Sequence, residues 1–162
     1  MPKLLEPWNT FYRVSDIDYE LLKENDIAYL LLDMDNTLVP WHTLDVSVQM
    51  LQWTRDMREH GVELFIISNN SKARTQALGT LLDMGAAWDA MKPFSRGFKV
   101  LKKRHQLDPA RTAIVGDQIF TDVLGSKFWH IKGILVAPLS AVEGRWTRFM
   151  RFWERIIARR KL

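Results

Sequence analysis

Asp33 and Asp35 close an apolar run, Ile27 to Leu32, in the string Leu-Leu-Leu-Asp-Met-Asp-Asn-Thr-Leu. Six mainly apolar residues rich in Leu and Ile read as a buried strand. The chain turns polar at once, so both acids fall at the strand's carboxyl end, where open α/β sheets build their ligand crevices. Two apart in extended chain, both side chains could reach one crevice as the strand gives way to a loop. One carboxylate could then attack while the other moves protons. A calcium loop would want a further oxygen ligand and then Gly at its sixth position. Thr37 and Leu38 stand there instead. Taken alone, the pair could also be a helix cap followed by a solvated acid.

Apolar runs and helical patterns alternate along the rest of the chain. The first segment, with Pro2, Pro7 and Trp8, reads as irregular. A short helix is expected from Asp16 to Glu24 with Ser15 as its N-cap. After the Asp33 strand, Val46, Met50, Trp53 and Met57 recur at helical spacing, and Gly61 marks a stop. Val62 to Ile67 reads as a second buried strand ending in Ser68-Asn69-Asn70, and a helix from about Lys72 to Asp83 stops near Gly85. Trp88 to Met91 reads as a weak third strand ending at Lys92-Pro93, with Ser95 capping a basic helix to His105. Thr112 to Val115, ending in Gly116-Asp117, is a fourth strand. A short helix from Asp122 and a fifth strand around Ile134 to Val136 complete the series. Strands alternating with helices imply βαβ units, hence an α/β fold with a mainly parallel sheet of about five strands.

In a parallel sheet the successive ends, at Asp33 with Asp35, Ser68, Lys92 and Asp117, share one edge. Singly, each has a plain reading. Ser68-Asn69 could be a strand exit, Lys92 surface charge, Gly116-Asp117 a turn and Asp122 a helix cap. Together and in this order, Asp-Met-Asp-Asn-Thr, Ser-Asn-Asn, Lys-Pro and Gly-Asp-Gln-Ile-Phe-Thr-Asp resemble the four motifs of the haloacid-dehalogenase (HAD) superfamily. The likeness covers about residues 25–150 and is nearest to the subclass IIIA, YqeG-type phosphatases.

That resemblance implies a Rossmann-like core with helices on both faces, and a set of roles. Asp33 would attack phosphorus and become an aspartyl-phosphate. Asp35 would protonate the leaving oxygen and later deprotonate the hydrolytic water. Lys92 would neutralise charge, while Asn36, Thr37, Ser68 and Asn69 would contact the substrate. Asp33, Asp117 and the backbone carbonyl of Asp35 would hold Mg²⁺, with Asp122 supporting the metal or Lys92. In this superfamily, pumps and dehalogenases lack an acid at the position of Asp35, so its presence implies phosphomonoester hydrolysis. The chemistry agrees with the roles: a phosphate dianion repels a carboxylate nucleophile, and Mg²⁺ and an ammonium offset that repulsion.

The bulk properties fit one domain. At 162 residues the chain can bury one sizeable core. No Cys is present, which excludes disulfides and thiolate metal sites and fits a reducing compartment. The N-terminus lacks a signal-peptide pattern and no apolar run could span a bilayer. A cytoplasmic protein is the expectation. Of the net charge of +4, the segment from Arg145 onward alone contributes +6, which leaves the preceding residues slightly acidic.

The spacing also leaves little room for a lid. Leu38 to Ile67 and Ser71 to Met91 each hold one helix and one strand, so a single capless domain over 1–162 is expected, with 1–26 as an N-terminal extension. An open site must take its specificity from a large partner or a surface. In the tail, Trp146, Phe149, Met150, Trp153, Ile156 and Ile157 interleave with seven Arg and Lys. A basic amphipathic helix over 145–162 would suit the inner face of an anionic membrane, or would pack its aromatic stripe on the sheet while Arg stems reach water. YqeG-type proteins are similar to enzymes that convert phosphatidylglycerophosphate to phosphatidylglycerol, which makes a lipid headgroup the first substrate expectation. The alternatives are a soluble phosphometabolite, nucleotide or phosphoprotein met through Trp41 and His42, and a non-enzymatic RNA- or ribosome-binding module using the basic tail. Nucleic acid would leave the acid set without a purpose.

Overall fold

Leu30, Leu31 and Leu32 are wholly buried, and they face alternate sides. Leu30 and Leu32 join one apolar cluster and Leu31 the other. Leu64 and Ile66 against Phe65 and Ile67 repeat the alternation, as do Ala113 and Val115 against Ile114. A strand that is apolar on both faces needs cover on both, which is the condition of a parallel sheet in an α/β fold. The computed structural model describes residues 3–140. Its strands are β1 (Asn9–Phe11), β2 (Tyr29–Leu32), β3 (Glu63–Ile67), β4 (Gly85–Ala87), β5 (Thr112–Gly116) and β6 (Lys132–Val136). Its helices are α1 (Tyr19–Glu24), α2 (Val48–Glu59), α3 (Lys72–Leu82), α4 (Arg96–His105) and α5 (Leu124–Trp129).

The sheet order is β1-β6-β5-β2-β3-β4, and every neighbouring pair is parallel. The chain winds outward from β2 through β3 to β4, then crosses back to β5 and on to β6. The reversal falls between β2 and β5, whose residues pair from Tyr29 with Thr112 to Leu32 with Val115. This is the switch point where doubly wound sheets open a crevice. Met50, Trp53 and Met57 of α2 and Leu78 and Leu82 of α3 cover one face. Phe98 and Leu101 of α4 and Trp129 of α5 cover the other.

Several sequence expectations shift. The opening segment is not irregular throughout: Asn9–Phe11 adds a sixth strand at the edge by pairing with Ile134–Val136 of β6. The helix expected from Asp16 splits into a 3₁₀ turn, Val14–Asp16, and α1, whose N-cap is Asp18 accepting from the Leu21 N–H. The helix after Asp45 starts at Val48 with Ser47 as its cap, so Val46 lies outside it. The third strand is Gly85–Ala87 in place of Trp88–Met91. Small residues let β4 lie close to its surroundings, since a Cβ at Gly85 would stand 3.1 Å from both His105 and Phe65. No domain is inserted between β2 and β3 or between β3 and β4, only α2 and α3. No helix among the described residues is long and apolar enough to cross a membrane. The expected helix over 145–162 lies outside the described residues.

Candidate active site

Beyond β2 the backbone of Asp33 still donates to Val115 of β5, at 2.9 Å, so the first acid is fixed by the sheet itself. The chain then closes into a tight turn in which the Met34 carbonyl accepts from Leu38 and Val39. Asn36 takes φ of 62°, a conformation Asn tolerates better than most residues. Asp117 follows β5 on the adjacent strand. Asp122 arrives on a π-helical turn, Ile119–Val123, a local irregularity common where side chains must be re-aimed. Gly116 makes room for it: a Cβ there would stand 2.1 Å from Asp122 Oδ2, and Asp122 is wholly buried.

Lys92 reaches the same place from farther away, five residues beyond the end of β4. Asn69 holds it there. Its side-chain amide donates to the Lys92 carbonyl at 3.2 Å and its Oδ1 accepts from the Lys92 N–H at 2.7 Å. The Ala90 N–H donates to the Ser68 carbonyl, and Trp129 Nε1 to the Pro93 carbonyl. Lys92 Nζ lies 2.5 Å from Asp33 Oδ1 and 2.7 Å from Asp122 Oδ1, with 3% of its side chain exposed. Asp122 Oδ2 accepts from the Gln118 N–H, which ties the turn after β5 to this ion cluster.

Asp33, Asp117 and Asp122 each bring a carboxylate oxygen within 4.8 Å of the others. Three acids face one ammonium, and the charge does not balance. Burial pushes Asp117 up to about 8, and the Asp33 and Asp122 carboxylates push the same way. Burial also raises Asp33, to about 6, against the pull of Lys92 and with a further push from Asp122. Burial works to discharge Lys92, but Asp122 and Asp33 more than reverse it and hold its ammonium above the usual lysine range. Asp117 Oδ1 is buried without a hydrogen-bond partner. An all-oxygen donor set with surplus negative charge and an unpaired oxygen fits a hard divalent cation. The residues present therefore suit a metal site.

A cleft of about 370 Å³ opens over this cluster, lined by Asp33, Asp35, Trp41, Ser68, Lys92 and Thr121 among others. Asp35 is turned toward α3. Its Oδ2 accepts from Asn70 Nδ2 at 2.7 Å and from Arg74 Nη1 at 3.0 Å. Arg74 also donates to the Thr43 carbonyl, linking the loop after β2 to Asp35. Ser68 is buried and its hydroxyl accepts from the Asn70 N–H. Thr37 Oγ1 is buried and unpaired. The Asn36 side chain points to Ser140, accepting from its N–H at 3.2 Å and from its hydroxyl.

Asp33, Asp117, Asp122 and Lys92 are thus brought together, with Asp35, Ser68 and Asn69 around the same cleft. Asn36 and Asn69 direct their side chains to neighbouring loops. Arg74 and Asn70 were not anticipated as site residues. Asn70 stands in the Ser-Asn-Asn string, but nothing local marks Arg74, two residues into α3, as the partner of an acid in the turn after β2.

No family model matches the chain. Over 157 residues, 97% of this chain and 91% of the relative, it is 32% identical to a Bacillus subtilis (strain 168) protein named "Probable phosphatase YqeG". Among solved structures, it resembles an uncharacterized protein from Listeria monocytogenes serotype 4b, at 13% identity and a TM-score of 0.57 over 77% of this chain and 99% of that one. It also resembles 3-deoxy-D-manno-octulosonate 8-phosphate phosphatase from Yersinia pestis, at 12% identity and a TM-score of 0.54 over 78% and 72% of the two chains. The structural likenesses show the fold, which is that of the HAD phosphatases. Within that superfamily the chain belongs to the YqeG-type phosphatases.

Proposed function

We propose that the protein is a Mg²⁺-dependent phosphomonoesterase working through an aspartyl-phosphate on Asp33, with phosphatidylglycerophosphate as substrate and phosphatidylglycerol as product. The observation that carries the reaction class is the buried contact of Lys92 with Asp33 beside Asp117, at the floor of a cleft that also holds Asp35. The Asp33 carboxylate attacks phosphorus and the ester P–O bond breaks. Asp35, in protonated form, gives its proton to the departing alkoxide oxygen. As a carboxylate it then takes a proton from water, which attacks the acyl phosphate, releases inorganic phosphate and restores Asp33. Lys92 offsets negative charge on Asp33 and the phosphoryl group throughout, while Ser68 offers a hydroxyl at the cleft. When bound by Asp33, Asp117 and the Asp35 carbonyl, Mg²⁺ would supply the remaining positive charge that a carboxylate needs to meet a phosphate dianion.

The lipid half of the proposal is supported by the cleft itself, which no inserted domain covers, and by the basic, aromatic sequence after Arg145. A bulky amphiphile can present its headgroup to such a site without being enclosed. Phosphate release from phosphatidylglycerophosphate in mixed micelles, with and without chelator, is the test. Asp33→Asn should abolish release, because an amide is no nucleophile here. Turnover of soluble esters alone would remove the lipid half; Asp33→Asn with full activity would remove the mechanism.

A further inference from the structure

Twelve large apolar side chains are exposed among the described residues, and six of them sit on the loops of the sheet's carboxyl edge: Trp41, Leu44, Met91, Phe94, Phe120 and Leu139. These segments follow β2, β4, β5 and β6, and those after β2, β4 and β5 also contribute residues to the lining of the cleft. Trp41 lines the cleft itself, Met91 and Phe94 flank Lys92-Pro93, and Phe120 lies between the lining residues Gln118 and Thr121. Phe94 is 65% exposed and Phe120 62%. Half of the exposed large apolar side chains thus gather on the edge that carries a polar cleft, and each would gain by leaving water.

A second observation indicates what covers these side chains. Ser140, the last described residue, is fastened to the same edge: its N–H and hydroxyl donate to Asn36 Oδ1, and its oxygen accepts from the Trp41 N–H at 3.3 Å. The sequence after Ser140 carries, from Arg145 on, a surplus of +6 together with Trp and Phe residues. Apolar side chains at the rim and positive charge in the adjoining sequence together match an anionic lipid surface, whose headgroups attract the charge and whose acyl boundary receives the rings. We infer that the carboxyl-edge loops form an interfacial docking surface. In that arrangement Met91, Phe94 and Phe120 enter an anionic bilayer and seat the cleft over headgroups still held in the membrane. The inference rests on the lipid-ester reading of the cleft and adds the face by which that substrate is met.

The test is sedimentation of the full-length protein with vesicles of phosphatidylcholine and phosphatidylserine in equal parts, comparing wild type with Phe94→Ser/Phe120→Ser. Both positions are exposed, so the fold should be unaffected, and hydrolysis of p-nitrophenyl phosphate serves as the control. Loss of two aromatic insertions should weaken vesicle binding on the order of a hundredfold, with the soluble ester still hydrolysed. Undiminished binding by the variant, or no binding by wild type, overturns the proposal. So does a wild-type dimer that the same substitutions dissociate, because these side chains would then be covered by a second copy. Neutralising Arg148, Arg151 and Arg155 to Gln should weaken binding further and reduce its salt dependence; full loss from that change with none from the aromatic pair also overturns it. The vesicles hold no phosphomonoester lipid, so docking is read separately from turnover. A protein that binds them yet leaves phosphatidylglycerophosphate intact would fail only the substrate reading.

Discussion

Replacing Lys92 with Met removes the ammonium that faces three buried carboxylates while keeping an unbranched side chain of similar length. Lys92 Nζ contacts Asp33 and Asp122 at 2.5 and 2.7 Å, and both partners are nearly or wholly enclosed. Removing one member of a buried ion pair costs about 3–5 kcal/mol, since the charge left behind has no water to turn to. Here two charges lose their partner, so the upper end of that range is expected. Against a total stability of about 5–15 kcal/mol for a domain, such a loss brings the variant near its unfolding threshold. Urea unfolding in chelator, followed by tryptophan fluorescence, measures it. The deficit should shrink as pH falls toward about 6, because Asp33 without the ammonium holds its proton to higher pH than in the wild type, where Lys92 opposes the rise to about 6. Adding Mg²⁺ should recover part of the loss, and so should a second change, Asp122→Asn, which removes one of the stranded acids; coupling of about 0.5–3 kcal/mol is expected for such contacting groups. Phosphate release by the variant should fall by roughly 10²–10³, the usual result of deleting one preorganised electrostatic contact. A variant as stable as wild type in chelator at neutral pH, or one whose deficit grows on acidification, would refute the ion-cluster reasoning.

Two further outcomes follow from the same geometry. Without metal, the fold retains protons on Asp33 up to about pH 6 and on Asp117 up to about pH 8, whereas unfolded chain releases both near pH 3.8. The native state then binds more protons across that window, so stability should fall as pH rises from about 4 to about 8 and level off above. Lys92 adds to the same trend only at far higher pH, since its raised value keeps it charged throughout the window. Mg²⁺ requires the ionised acids and should invert the trend; thermal unfolding with chelator and with Mg²⁺ checks both, and chelated protein that gains stability with pH contradicts the burial argument. Arg74→Ala frees Asp35 from a contact of 2.8 Å and releases the Thr43 carbonyl. A partly exposed pair contributes little to folding, so the unfolding midpoint should hardly move, while turnover should drop about tenfold, part of the roughly 10²–10⁴ that a positioned acid–base provides. Unchanged turnover would show that Arg74 does not position Asp35.

The centre of the sheet was readable because a strand apolar on both faces leaves a continuous run, as at Leu30–Leu32 and Ala113–Val115. The edges were not. Asn9–Phe11 is three residues long between Pro7 and a 3₁₀ turn, and only its partner β6 makes it a strand. Gly85–Ala87 carries no bulk or β-branching to mark it, so the eye falls on Trp88–Met91 instead. Lys92 reaches the acids even though β4 ends at Ala87, because the Asn69 and Ser68 contacts fix the segment that follows. The acid motifs were legible since each lies at or just past a strand end. Arg74 was hidden because its pairing with Asp35 spans 39 positions and exists only once α3 packs beside the turn after β2.

The placement of Asp33 and Asp117 on adjoining strands has a mechanical meaning. Neighbouring strands in any sheet run about 4.8 Å apart, and these two acids leave β2 and β5 just where the last ladder bonds hold that gap fixed. The backbone lattice acts as a ruler between the two points where the chain leaves the sheet, so a change in the length of the surrounding loops leaves that separation unaltered.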